Sequence, residues 1–155
     1  WQNLPYARLR RPGGALVPLS PPLLDMERTA RAALGAFLKD GGWPSGNAAV
    51  VFPGPGNWVY AVEYAKMRPD APLIVADPYP GLFSRMIETA MFAQVFGRDS
   101  FLVAADDRAG DWRGVLAGAL SELRGRGFAI RVFESPETRG LPETSFLVAE
   151  LSKLP

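Results

Sequence analysis

Four short apolar runs recur along the chain: "AAVVF" (48–52), "LIVAD" (73–77), "SFLVAADD" (100–107) and "FAIRVFES" (128–135). Runs this short and this apolar predict buried strands. The segments between them are helical in spacing. From Asn57, the residues Val59, Val62, Ala65 and Met67 fall on or near one face, and Pro69 and Pro72 end the pattern. A second helix is predicted from about Leu82 to Gly97, and a third, "WRGVLAGALSELRGRG", starts behind Asp111 as its cap. The tail predicts a helix from Pro142. Upstream, "LLDMERTARAALGAFLKDGG" places Met26, Ala30, Ala33, Leu34, Phe37 and Leu38 at helical spacing, with Gly41-Gly42 as the stop.

Strands alternating with helices in this way predict an α/β fold. It is a Rossmann-like parallel sheet of about four strands, in the order 3-2-1-4 counted along the chain, with helices on both faces. Residues 1–22 carry two apolar patches around Pro12-Gly13-Gly14 and predict a small hairpin or arm; residues 23–155 form the Rossmann-like domain.

Composition narrows the chemistry. With no Cys and no His among 155 residues, disulfides, zinc fingers, Ser-His-Asp triads and His-based proton transfer are excluded. A net charge of +1 gives no footprint for nucleic acid or an anionic membrane. No apolar run approaches the roughly 18 residues of a membrane span, and a cytoplasmic location is expected. The chain begins at Trp1 and stops at the apolar "ELSKLP", so a piece of a longer protein is expected.

The first predicted strand breaks into Gly54-Pro55-Gly56 before its helix. Such a turn lets backbone approach a ligand and aims N–H groups at it. An acid at the end of the next strand binds ribose in many such folds, and Asp77 lies 21 positions after Gly56. The candidate cofactor-binding residues are therefore Gly54, Gly56, Asn57, Asp77 and Asp106, for S-adenosylmethionine (SAM), a nucleotide or a nucleotide sugar. Phe52 stands where SAM-dependent methyltransferases carry an acid, and Trp58 where they carry a third glycine. The same glycines also fit a plain tight turn. Asp77 also fits a helix cap, and Asp106-Asp107-Arg108 a solvated corner. Trp58 and Tyr79 either stack a base or pack, and Arg131 and Arg139 either pair a phosphate or serve the surface. A metal at the acidic corner would need further oxygen ligands, and no metal site is expected.

The stretches 15–37, 50–90 and 100–107 resemble the N-terminal region of the motility accessory factor proteins, which are flagellin glycosyltransferase-like and related to the 6-hydroxymethylpterin diphosphokinase-like domain. Ser20, Asp25, Glu27 and Arg28 echo one family motif, and Gly54, Gly56, Asn57 and Tyr60 echo its glycine turn. Asp77-Pro78 with Leu82-Phe83 matches a third, and "FESPETRGLPETSF" (133–146) resembles the closing one. The resemblance spans roughly residues 14–150. It implies an accessory domain supporting protein glycosylation, with the sugar-transferring domain of the same protein downstream. Two other readings stand beside it: a small SAM-dependent methyltransferase, with Gly54 and Gly56 at the methionine end and Asp77 on the ribose, and a non-catalytic interaction module.

Overall fold

In a computed structural model, which describes residues 7–21, 24–40, 47–89, 93, 99–108 and 110–154, the elements follow in this order. An N-terminal pair, β1 (Arg8–Arg10) and β2 (Leu16–Pro18), precedes α1 (Met26–Asp40) and β3 (Ala48–Pro53). Then come α2 (Val59–Met67), β4 (Leu73–Asp77), α3 (Pro80–Ile87), β5 (Ser100–Ala104), α4 (Trp112–Gly125), β6 (Ala129–Val132) and α5 (Pro142–Leu151).

The four later strands form one parallel sheet in the order β5-β4-β3-β6, the expected 3-2-1-4 arrangement. Its two central strands are buried along their whole length, and their side chains alternate between two cores, as a pleated strand requires. Val50, Phe52, Leu73 and Val75 face a core shared with α1, α2 and Met86 of α3. Ala49, Val51, Ile74 and Ala76 face the other, built with Leu116, Leu120 and Leu123 of α4 and Leu147 of α5. Burial on both faces is why these strands read as unbroken apolar runs.

The runs overstate the outer strands. β5 ends at Ala104 and β6 at Val132, with one last sheet hydrogen bond beyond each, from the Ala105 N–H to the Asp77 carbonyl and from the Phe133 N–H to the Val51 carbonyl, so Asp106 and Asp107 lie in the loop beyond β5. Asp111 caps α4: its Oδ1 accepts the Gly114 N–H at 2.9 Å, and a Cβ on Gly114 would collide with that carboxylate. The expected stops at Gly41-Gly42 and Gly97 lie outside the described residues.

The N-terminal segment is an antiparallel hairpin, with Leu9 opposite Val17. Its loop closes through Gly14 N–H to the Arg11 carbonyl, with Gly13 and Gly14 both at positive φ. Ala7 and Leu19, where the hairpin leaves its ladder, pack against Tyr79 in a third, small core. This places the hairpin over the carboxyl edge of the sheet, where ligands of open α/β folds bind.

Candidate functional site

The glycine turn follows β3 directly. Gly54 (φ 57°) and Gly56 (φ 64°) both take the left-handed conformation that a side chain disfavours. The Gly54 N–H donates to the Ala76 carbonyl at 2.7 Å, tying the turn to β4. Beyond that the turn is filled from within the chain. A Cβ on Gly56 would lie 1.6 Å from the Leu19 carbonyl oxygen, and one on Gly54 would lie 2.7 Å from Thr144 Oγ1. The close approach that glycine permits is thus made by the hairpin exit on one side and by α5 on the other.

Trp58, at the position of a third glycine, itself adopts φ 60° and ψ 8° and forms the N-cap of α2. It therefore has the backbone that a glycine would supply there, although it carries the largest side chain. That side chain is fully buried, and its Nε1–H donates to Asp77 Oδ2 at 2.9 Å. Phe83 meets the indole edge to face, with ring centroids 5.5 Å apart. The other Asp77 oxygen accepts the Tyr79 N–H at 2.9 Å. Burial pushes the Asp77 carboxyl up to about 7, against the opposing pull of these two donors. Asp77 is thus both a local cap for the 78–80 corner and the partner of Trp58.

Asn57 is also buried. Its Nδ2 faces Met26 Sδ at 3.0 Å, and its Oδ1 accepts the Val59 N–H at 3.4 Å. Gly54, Gly56, Asn57 and Asp77 therefore converge at one corner. Asp106 does not join them: it is part-exposed, and its Oδ1 accepts the Arg108 N–H at 3.0 Å. Asp107 takes the Trp112 indole at 2.7 Å and Arg113 at 2.6 Å, which hold its carboxyl below the usual range.

The crevice between β3 and β6, where the strand order reverses, is filled by aromatic rings. Phe133 lies 5.2 Å from Phe37, 5.6 Å from Phe52 and 5.2 Å from Tyr60, measured between ring centroids. The Tyr60 hydroxyl donates to the Glu137 carboxylate, 3.0 and 2.9 Å from its two oxygens, closing this crevice with the loop after β6.

Sequence reasoning did not single out Arg11, Glu143 or Thr144. Arg11 donates through both terminal nitrogens to the two Glu143 oxygens, at 2.5 and 2.8 Å, and clamps the hairpin to the start of α5. The Tyr79 and Thr144 hydroxyls are buried beside this clamp. The only trace of these residues in the sequence was the closing motif "FESPETRGLPETSF", which contains Glu143 and Thr144.

Among the described residues no cluster of three or more acidic side chains is arranged to hold a metal ion, and no helix is long and apolar enough to cross a membrane. Comparison with protein-family models, with curated proteins and with solved structures finds no match to this chain.

Proposed function

We propose that this chain is a Rossmann-like accessory domain of the motility-accessory-factor type, which supports protein glycosylation by a transferase domain of the same protein. The observation that carries this reading is the self-filled glycine turn. The Leu19 carbonyl lies against Gly56 and the Trp58 indole donates to Asp77, so the space at the turn and the carboxylate that would meet a cofactor are already taken up. A methyltransferase needs that turn open to the methionine end of SAM and that carboxylate open to the ribose. A domain that serves a neighbour needs only the rigid corner. The interaction-module reading shares this geometry and differs in lacking a transferase partner.

The discriminating experiment is to read the coding sequence past Pro155 and assay the product. The accessory reading expects a second α/β domain, and transfer of sugar to an acceptor protein that falls when residues 1–155 are deleted. A coding sequence that stops at Pro155, or transfer unaffected by the deletion, contradicts it.

A further inference from the structure

A cavity of about 580 Å³ opens between the hairpin and the corner after β4, and two of its lining residues, Leu19 and Pro78, also lie against the glycine turn. Its size is in the range of pockets that hold a small organic ligand. The walls are apolar: Ala7, Leu9 and Leu19 on one side, Pro78, Pro80 and Leu82 on the other. Tyr79 adds a ring, and Gly81, in the first turn of α3, leaves bare backbone, since a Cβ there would meet nothing within 4 Å.

The charged lining is cationic in balance. Arg8 and Arg85 are both part of it. Among the described residues the one carboxylate in the lining, Glu143, is taken up by both terminal nitrogens of Arg11. Arg85 has a side chain 79% exposed and only a loose contact, 3.7 Å, with Glu88, so its guanidinium can turn to a ligand at little cost. Apolar walls with a guanidinium at the edge recognise one chemistry: an apolar body carrying a single anionic head.

We infer that this hairpin cavity is a binding site for an amphipathic organic anion of about mononucleotide size, its head group on Arg85 and its body against Pro78, Tyr79 and Leu9. The head is a phosphate monoester or a carboxylate, two sources of the same charge. Neither glycine of the turn is part of the lining, and the site exists whether or not the chain serves a transferase domain.

The test is calorimetric titration of the whole chain with adenosine 5′-monophosphate, with octanoate and with uncharged adenosine. At least one anion binds with a dissociation constant below the millimolar range, and adenosine binds about tenfold or more weakly than the tighter anion. The tighter anion identifies the head group. Arg85→Ala weakens that anion about tenfold and Arg85→Glu abolishes its binding. Arg139→Ala, in a separate cavity of about 280 Å³ beside α1 and β6, leaves it unchanged. Arg85 is on the exposed face of α3, so circular dichroism of both its variants matches the parent. Failure of both anions to bind, adenosine binding as tightly as the tighter anion, or unchanged affinity for that anion in Arg85→Ala overturns the site.

Discussion

The Trp58 indole donates to Asp77 at 2.9 Å from a backbone in the left-handed region, φ 60°. A residue that costs about 1–2 kcal/mol in this conformation persists only where its surroundings hold it. Here Asp77 and Phe83 do so. Trp58→Phe keeps a ring in the space but removes the donor from a buried carboxyl. The expected loss is about 1–3 kcal/mol of unfolding free energy, read from urea melts. A change within a few tenths of a kcal/mol would mean that the hydrogen bond contributes nothing to holding the corner.

Asp77 makes stability depend on pH in an unusual direction. Its folded pKa, about 7, lies above its unfolded value, so the native state binds the extra proton. This contribution is fully present below about pH 4 and is lost as pH rises toward about 7, amounting to at most about 4 kcal/mol. The chain has no His, so no other side chain ordinarily titrates near neutrality. Asp99, Asp107, Glu143 and Glu150 are held low by their partners and act oppositely, with stability lost as pH falls through their own lowered values. Urea melts from pH 4.5 to 7.5, taken as about the window between these effects, should show declining stability in the parent and a flatter profile in Asp77→Asn. Equal slopes in the two proteins would contradict the burial of an ionisable Asp77.

Gly56 separates backbone strain from collision. Gly56→Ala meets both a positive φ and the Leu19 carbonyl, so it is expected to destabilise by more than about 2 kcal/mol. Gly13→Ala meets a positive φ (92°) with nothing within 4 Å, and about 1 kcal/mol is expected. Equal costs at the two positions would show that the hairpin does not rest on the turn.

The Arg11–Glu143 pair is part-buried and bidentate, with side chains 26% and 33% exposed. Glu143→Gln is expected to cost about 1 kcal/mol globally. Its larger effect is local: hydrogen exchange at the Leu19 amide, which donates to the Ala7 carbonyl, should quicken before exchange in β3 or β4. Unchanged exchange at Leu19 would place the hairpin's hold elsewhere.

The sheet was legible in the sequence because its central strands are buried on both faces and so contain almost nothing but apolar residues. The Asp111 cap was legible because capping is local, three residues from donor to acceptor. The glycine turn was legible as a turn but not as a filled one. Its fillers, Leu19 and Thr144, lie 37 residues before Gly56 and 90 after Gly54, and no local pattern encodes such pairings. Trp58 at a glycine position was visible as an oddity. That its indole would turn inward to Asp77, rather than out toward a ligand, depends on Phe83 and the buried carboxyl together.

Calorimetric titration with SAM and S-adenosylhomocysteine, neither of them a net anion, tests the self-filled corner most directly. Leu19 against Gly56 and Trp58 on Asp77 predict no binding heat from either compound up to the millimolar range. Micromolar binding of SAM that is lost in Asp77→Asn would contradict the account and favour the methyltransferase reading.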